Sequence, residues 1–290
     1  AKWDIVGVAE RDILFTGFTG TTLHTAHGGS INLHAKTGSM NLSDPQSGVL
    51  STVRAQGGGG ISIKAGQDLI ASTGFDDAGG PLQLFNIQGI NIDGPGRLDL
   101  QVGRDFVGGL VTGVARGPGF VLWNSDPANR PQHTVTVGGK VGETNLTLGP
   151  NGLPLTVAEQ RAKDPVAPLE RESTAKYADF ALSGGELVLS AGGNIYLRRV
   201  HDAGLVGGLD AQGNPREPAF APGLENNKVT LASRDGHILL NTSRADGPQE
   251  PNQDLADLRG WLPASFEVRA EKGTIQVRSG LTFLPSPTGS

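Results

Sequence analysis

Short stretches of alternating apolar and polar residues recur along the chain, and three of them share one nine-residue pattern. These are ISIKAGQDL (61–69), LDLQVGRDF (98–106) and LVLSAGGNI (187–195). Each has apolar residues at its first, third and last positions, a small apolar residue at the fifth, glycine at the sixth and Asp or Asn at the eighth. Because side chains alternate between the two faces of a β-strand, each stretch predicts a strand with one apolar and one polar face.

The end of the pattern predicts a bend and a second strand. In 61–69, Gly66 can adopt a positive φ, and Asp68 has a short side chain that can accept hydrogen bonds from turn amides. Leu69 then points inward again. We therefore predict a unit made of a strand, a corner and a new strand.

Looser copies of this unit occur along the chain. They are VGVAERDI (6–13), INLHAKTGSMNL (31–42), VTLASRDGHILL (229–240) and FEVRAEKGTIQV (266–277), with TVTVGGKVG (134–142) as a further candidate. The copies at 229–240 and 266–277 align without a gap, and their corners are longer than the corner of 61–69. The predicted structural corner residues are Asp12, Gly66, Asp68, Gly103, Asp105, Gly192, Asn194, Gly236 and Gly273.

Serial copies of the unit favour a stacked architecture, because a single unit cannot bury its own apolar face. Helices long enough for βαβ crossovers are scarce, which disfavours a doubly wound sheet. The remaining alternatives are a parallel β-helix, a sandwich and a propeller. Propeller blades recur at a steady spacing and sandwich strands share no corner motif, whereas these corners recur irregularly. We therefore predict an all-β fold, a parallel β-helix (solenoid) with long loop insertions.

Polar, proline-rich stretches lie between the units, near 113–132, 149–180, 200–226 and 241–264. We interpret them as insertions in a single β-helical segment, residues 1–290 of a longer protein. In the second insertion, VAEQRAKD and LERESTAKYADF predict a short surface helix, limited in length by the prolines between them. Long loops within a compact fold are usually functional or mobile, so we expect any binding site in these insertions.

Composition and charge narrow the classes of function. The 290 residues include 44 glycines, with 5% aromatic and 18% charged residues, which is typical of a turn-rich fold. The net charge of −5 comes without a basic run, so we expect no nucleic-acid partner. The absence of cysteine excludes disulfide and thiol chemistry. There is neither a long apolar stretch nor a signal peptide, and the one methionine is Met40, so we expect an internal segment.

With these features the chain resembles the filamentous haemagglutinin family of very large bacterial surface adhesins. The resemblance rests on the units at 61–69, 98–106 and 187–195, on the corner ERDI (10–13) and on SGLTFLPSPTG (279–289). It covers most of the chain as scattered units in a Gly-rich, Cys-free sequence. The long insertions and the irregular spacing depart from a uniform shaft of this family.

The resemblance implies a right-handed parallel β-helix that is secreted or associated with the bacterial outer membrane. It also implies two-partner secretion through an outer-membrane transporter. We therefore expect a non-enzymatic adhesin segment without a cofactor. Its expected partners are adjacent β-helical segments of the same polypeptide and a surface glycan or protein receptor. The alternatives are a polysaccharide-processing β-helix lyase or hydrolase, and the structural shaft of a toxin-delivery filament.

The acidic residues could serve acid–base chemistry or calcium binding, but their positions favour a structural role. Asp and Asn side chains beside a corner glycine satisfy backbone amides. The adjacent Asp76 and Asp77 resemble the paired acids of polysaccharide-cleaving enzymes, but the basic residues that complete such a site are missing. We expect no catalytic residues.

The densest group of histidines consists of His24, His27 and His34. A metal site needs three or four convergent ligands. His24 and His34 stand beside leucines that face inward in the predicted strands, so both histidines project outward. We expect no metal site.

The candidate binding residues lie at or beside the insertions. Trp123 in GPGFVLWNSDP and Trp261 in LRGWLPAS could stack on a sugar or anchor a partner, or could pack an insertion onto the core. Arg198, Arg199 and His201 run from a predicted strand into the third insertion and could form a contact patch. These five residues are the predicted binding positions.

Overall fold

The structure is a computed structural model that describes residues 2–16, 22–42, 51–72, 89–109, 120–123, 129–143, 147–150, 152–167, 178–202, 208–209, 215–216, 227–240, 261–277 and 282–283. Most of these residues lie in β-strands or turns, and α1 (Val157–Lys163) is the only helix among them. The strands pair mostly in parallel. The chain is therefore an all-β protein, as predicted.

Eight strands of the described chain form the first sheet, and all of them pair in parallel. Paired strands of this sheet lie between 26 and 54 residues apart in the sequence. In order along the sheet they are β1 (Ile5–Ala9), β4 (Ile31–Ala35), β7 (Ile61–Ala65), β10 (Leu98–Val102), β13 (Gln132–Val137), β15 (Glu186–Ala191), β19 (Lys228–Ser233) and β22 (Ser265–Ala270).

Two further parallel sheets are formed by the strands between those of the first sheet. The second sheet consists of β2 (Ile13–Leu14), β5 (Met40–Asn41), β8 (Leu69–Ser72) and β11 (Phe106–Gly109). The third sheet consists of β3 (Thr22–Thr25), β6 (Thr52–Gln56), β9 (Gly89–Asp93), β12 (Phe120–Trp123), β14 (Ala178–Ser183), β16 (Ile195–Asp202), β20 (Ile238–Leu240) and β23 (Ile275–Val277). Two short pairs complete the described strands: β17 (Gly208–Leu209) with β18 (Pro215–Arg216), antiparallel, and β21 (Trp261–Leu262) with β24 (Thr282–Phe283), parallel.

The second and third sheets are joined by one residue and one long strand. Val141 forms parallel bridges to Phe106 of β11 and to Ile195 of β16. The first residues of β16 pair with β20, and its later residues pair with β14.

The chain passes from a first-sheet strand through a corner to the other sheets, and then returns to the next first-sheet strand. Each such passage is called a repeat below.

The strand register confirms the alignment of the sequence units. Ile61 pairs with Leu98, and Leu69 pairs with Phe106. The two units with longer corners also pair without a gap, as shown by Val229 with Phe266. TVTVGGKVG belongs to the series, because most of β13 comes from it and pairs with β10 and β15.

The apolar face predicted for each unit is buried. Equivalent residues of successive repeats, such as Ile31, Ile61 and Leu98, stand in rows, and rows from all three sheets join in one core cluster. Burial of each large aliphatic side chain contributes roughly 1.5–3 kcal/mol to folding. The alternate residues of β7, Ser62 and Lys64, face away from this core and are half-buried.

The corner glycines are required for a reason that differs from the predicted one. The sequence indicated that Gly66 can adopt a positive φ, but neither it nor Gly103 or Gly192 has one. A β-carbon on Gly103 would overlap the carbonyl of Gly66, and one on Gly192 would overlap the carbonyl of Gly138. Stacked main chains, rather than an unusual backbone conformation, exclude side chains at these positions.

Three of the predicted insertions include residues of third-sheet strands. β12 lies within 113–132, β14 begins within 149–180, and β16 ends within 200–226. The helix predicted for VAEQRAKD is confirmed as α1. The helix predicted for LERESTAKYADF is wrong for its last three residues, which begin β14. Phe180 is fully buried there, in register with Phe120, so burial of the aromatic ring in the core outweighs local helix propensity.

Candidate functional site

A polar residue ends each corner, directly before the first inward residue of the next strand. Strand register makes these positions equivalent, because Ile13 pairs with Met40, Met40 with Leu69, and Leu69 with Phe106. We call this line of polar residues the corner ladder. It consists of Asp12, Ser39, Asp68, Asp105, Lys140, Asn194, His237 and Thr274.

Carboxylates of the corner ladder accept hydrogen bonds from the next repeat. Asp12 Oδ1 accepts the N–H of Ser39 at 2.8 Å, and Asp68 Oδ1 accepts the N–H of Asp105 at 3.1 Å. Asp105 Oδ1 in turn accepts the N–H of Lys140 at 2.8 Å. Each carboxylate therefore joins its own corner to the corner of the following repeat.

Other acceptor side chains extend the corner ladder. Ser39 Oγ accepts the N–H of Asp68 at 3.3 Å. Asn194 Oδ1 accepts the N–H of His237 at 2.8 Å, and His237 Nδ1 accepts the N–H of Thr274 at 2.9 Å. We expected such side chains to accept from amides of their own turn. The donors lie in the next repeat instead, because the stacked corners bring the next amide within reach.

Arg104 holds Asp68 in its ionised form. Arg104 Nε donates to Asp68 Oδ1 at 2.7 Å, and Arg104 Nη2 donates to Asp68 Oδ2. The hydrogen bond from Arg104 is the main cause that lowers the pKa of Asp68 below its usual value. Because donors occupy both carboxylate oxygens, Asp68 is suited to a structural role rather than to proton transfer.

Part of the second predicted insertion packs beside the corner ladder. Leu153, Tyr196 and Leu239 form a small apolar cluster, separate from the main core, in which all three side chains are buried. The Tyr196 hydroxyl accepts a hydrogen bond from Asn194 Nδ2 at 2.9 Å and donates to the Gly152 carbonyl at 3.4 Å. The insertion is therefore fixed by both apolar and polar contacts.

This docked segment (147–150 and 152–167) carries α1 on its exposed side. Thr156 Oγ1 accepts the N–H of Glu159 at 3.2 Å, and Glu159 Oε2 accepts the N–H of Thr156 at 2.7 Å. This capping box satisfies two amides at the start of the helix. The hydrogen bond from the Thr156 backbone is the main cause that lowers the pKa of Glu159.

The turn after α1 is held by its own side chains and presents an apolar residue. Asp164 Oδ1 accepts the N–H groups of Val166 and Ala167, both at 3.1 Å. Arg161 Nη1 donates to the carbonyls of Pro165 at 2.9 Å and Ala167 at 3.0 Å. The Val166 residue is 89% exposed. A turn ordered in this way loses little conformational freedom when a partner binds to it.

The five predicted binding residues lie in neighbouring strands of one region. Trp123 ends β12, while Arg198, Arg199 and His201 lie within β16, and both strands pair with β14. Trp261 begins β21, which lies against β16. The topology places these positions on strands rather than in loops. Their binding roles stay predictions.

The other candidate residues are spread over the chain. Asp76 and Asp77 lie outside the described residues. His24 is exposed, with its Nε2 2.6 Å from Gln56 Oε1, and His34 is half-buried on the outward face of β4. Within the described ranges, no three His, Asp or Glu side chains are grouped in a way that could hold a metal ion.

The sequence interpretation missed a buried histidine, His133, in the inward row of the first sheet. Its Nδ1 accepts the N–H of Leu98 at 3.1 Å, and its Nε2 has no hydrogen-bond partner among the described residues. Burial lowers the pKa of His133 to about 4. The pattern QHTVTV contained the signal, because alternation places His133 on the same face as Val135 and Val137.

Comparison with protein-family models, curated proteins and solved structures found no match to this chain. The helical residues of the described chain include no segment long and apolar enough to cross a membrane.

Proposed function

We propose that this chain is part of a right-handed parallel β-helix that serves as the non-enzymatic shaft of a secreted or surface-exposed adhesin. In-register parallel pairing over eight first-sheet strands supports the β-helix. The sequence units that resemble filamentous haemagglutinins support the adhesin role. Under this proposal the protein reaches the cell surface through an outer-membrane transporter and continues into adjacent β-helical segments.

The docked segment is the observation that carries the attachment role. It is fixed beside the corner ladder by Leu153 against Tyr196 and Leu239, so it is held outside the main core. It then exposes a capped helix and an ordered turn with Val166 at the surface. A rigid scaffold that presents an ordered loop is the usual arrangement of a binding protein. The partner is a protein or glycan on another surface.

The shaft resists load through two sets of bonds between repeats. Main-chain hydrogen bonds join strands spaced about 4.8 Å apart along the stack. The corner ladder adds side-chain bonds in the same direction, for example from the Lys140 amide to Asp105. A force along the stack therefore acts on many bonds in each repeat at once.

Adhesion of protein-coated beads tests the proposal. Beads carrying the wild-type chain are applied to surfaces coated with glycans, matrix proteins or cultured cells, and retention under flow is measured. Replacing residues 156–167 with a Gly-Ser linker of equal length should lower retention about tenfold, as expected when a central contact is removed. Thr136→Ala on the outward face of β13 is the matched control and should retain wild-type adhesion.

Equal retention of the linker variant on every surface would contradict the attachment role of the docked segment. Cleavage of an acidic polysaccharide by the wild-type chain, lost in Asp76→Asn with Asp77→Asn, would instead favour the enzymatic alternative. Both assays include the same purified wild-type chain.

A further inference from the structure

His237 lies between two parts of the molecule, the docked segment and the following corner of the ladder. Its Nδ1 accepts the N–H of Thr274 at 2.9 Å. The opposite edge of the ring faces Gly152, where a β-carbon would lie 3.4 Å from Cδ2 and 3.6 Å from Nε2. A movement of the imidazole away from Thr274 would therefore press on the docked segment.

Asn194 and Tyr196 connect His237 to the same segment. Asn194 Oδ1 accepts the N–H of His237 at 2.8 Å, and Asn194 Nδ2 donates to the Tyr196 hydroxyl at 2.9 Å. The Tyr196 hydroxyl donates in turn to the Gly152 carbonyl at 3.4 Å. The polar contact that holds Gly152 is thus linked to the corner that carries His237.

Only the neutral imidazole of His237 fits this arrangement. A ring nitrogen that accepts a hydrogen bond carries no proton, so the proton of the neutral ring is on Nε2. A second proton would have to be added at Nδ1, where it would face the N–H of Thr274 across the same 2.9 Å. Two donors would then oppose each other, and the Thr274 amide would lose its acceptor. Protonation of the ring and this geometry therefore exclude each other.

The docked segment is the side that gives way, because the following corner is held firmly. The Thr274 carbonyl accepts the N–H of Ile238 at 2.9 Å. A β-carbon on Gly273 would overlap the carbonyl of Gly236, so the two corners are stacked in direct contact. Among the described contacts of the docked segment, those on this side are the small Leu153 cluster and one long hydrogen bond. Displacement of the segment therefore breaks fewer contacts than displacement of the corner.

No neighbouring carboxylate is paired with the His237 ring within the described ranges. In its own corner, Asp235 already accepts from Arg234 Nε and Lys272 Nζ, both at 2.6 Å. Glu271 in the following corner is exposed. The other groups around the ring are uncharged: Gly152, Leu153, Asn194, Tyr196 and Thr274. A proton on His237 therefore gains no ion pair that would compensate the lost hydrogen bond.

We propose that protonation of His237 in mild acid releases the docked segment from the body of the molecule. Imidazole is the side chain that changes its charge between neutral and mildly acidic pH. At neutral pH the ring accepts from Thr274 and leaves Gly152 in place, and in acid the charged ring displaces it. The biological meaning rests on the proposed function, because the segment that moves is the one assigned to attachment. Acid would then weaken an attachment made at neutral pH.

Thiol reactivity measures the release directly, because the chain has no cysteine of its own. A thiol introduced by Leu153→Cys is buried against Tyr196 while the segment is docked, and it reacts with a disulfide reagent only on release. Val166→Cys, in the same segment and 89% exposed, is the reference. The thiolate is the reactive form, so the ratio of the two rates at each pH removes the direct effect of pH on the thiols.

We expect this ratio of rates to rise about tenfold between pH 7.5 and pH 5.5. Free histidine side chains titrate at about pH 6.5, and acid favours the released state because only that state holds the second proton. In His237→Asn the amide oxygen remains an acceptor for Thr274 and does not titrate, so the ratio should stay constant. Asn194 already fills the equivalent position in the preceding repeat.

Two other histidines and one core position serve as controls. His34→Asn, at a half-buried outward position of β4, and His133→Leu, in the main core, should both keep the rise. Val135→Cys is fully buried in the main core. Its thiol should react far more slowly than the thiol at position 153 at both pH values, which shows that the sheets remain folded.

Four results would overturn the proposal. An unchanged ratio in the otherwise wild-type chain would exclude the release. An equal rise in His237→Asn would exclude His237 as its cause, and a rise that disappears in His133→Leu would assign it to the core histidine. Equal acceleration of the Val135→Cys thiol would show unfolding of the whole chain instead. None of these measurements involves adhesion, so failure of the release and failure of the attachment role are separate results.

Discussion

His133 occupies a core position that is aliphatic in the neighbouring repeats. It stands in register between Leu98 and Leu187 in the inward row of the first sheet. His133 Nδ1 accepts the N–H of Leu98, so this nitrogen must be unprotonated. The neutral ring therefore carries its proton on Nε2. No charged side chain of the described residues accompanies it in the core, since the nearby Asp99 and Glu186 project outward. Protonation would therefore place an uncompensated charge in the core.

This position predicts a loss of stability in mild acid. Burial lowers the pKa of His133 from 6.5 to about 4, so the unfolded chain binds more protons than the folded chain below pH 6.5. The free energy of unfolding should be flat in pH above this value and should fall by about 2–3 kcal/mol as the pH drops toward 4. Urea unfolding at pH 7.5 and 4.5 measures the difference.

His133→Leu should remove most of that difference between the two pH values. His34→Leu, at a half-buried outward position of β4, is the control and should keep it. An identical pH dependence in His133→Leu and the wild type would show that other groups cause the effect.

The two glycines of one corner offer a matched test at the scale of an element. A β-carbon on Gly192 would overlap the carbonyl of Gly138, whereas one on Gly193 would lie 3.3 Å from the main chain of Gly139. Gly192→Ala should therefore lower the free energy of unfolding by about 2 kcal/mol or more, and Gly193→Ala by less than about 1 kcal/mol. Chemical denaturation compares the two, and equal losses would contradict the stacked-corner explanation.

The corner ladder makes a second prediction at this scale. Asp105→Ala leaves the Lys140 amide without its acceptor and should cost about 1–2 kcal/mol. Asp105→Asn keeps an oxygen at the Oδ1 position, so it should retain most of the stability. Thermal or urea unfolding of both variants gives the comparison. Equal free energies of unfolding for the alanine and asparagine variants would show that the hydrogen bond to the next repeat has no stabilising effect.

The sequence pattern predicted the strands and corners well, but not the partners of the corner side chains. Alternation located β7, β10 and β15, and the gap-free alignment of β19 with β22 matched the observed register. The ladder donors were missed because they depend on which corner stacks on which. The helix expected at Ala178–Phe180 failed for a related reason, since Phe180 is buried by contacts distant in sequence.

The docked segment links the core to the surface of the whole molecule. Leu153→Asp would place a charge in its apolar anchor with Tyr196, so the segment should detach while the three sheets remain folded. Limited proteolysis should then cleave within 152–167 at least several times faster. Leu148→Asp, at a position that is already 45% exposed, is the control and should leave cleavage unchanged. Cooperative unfolding of the whole Leu153→Asp chain would contradict a separately anchored segment.

At the scale of the molecule, the candidate site was only partly predictable. The sequence indicated that 149–180 is an insertion, and its proline and polar content identified it as a place for contacts. The sequence did not indicate that Tyr196 is buried as the anchor of the docked segment. Such anchoring depends on how an insertion folds back onto its sheet, which local pattern and composition do not encode.

Distances between spin labels along the first sheet test the central claim, that successive repeats stack in register along one axis. Asn32, Val188, Thr230 and Glu267 occupy equivalent outward positions in different repeats. Cysteine-attached labels at Asn32 paired with each of the other three should lie about 19, 24 and 29 Å apart, one strand spacing of about 4.8 Å per repeat. Pulsed electron–electron double resonance measures these distances. A label at Glu267 that lies closer to Asn32 than the label at Thr230 does would contradict the stack.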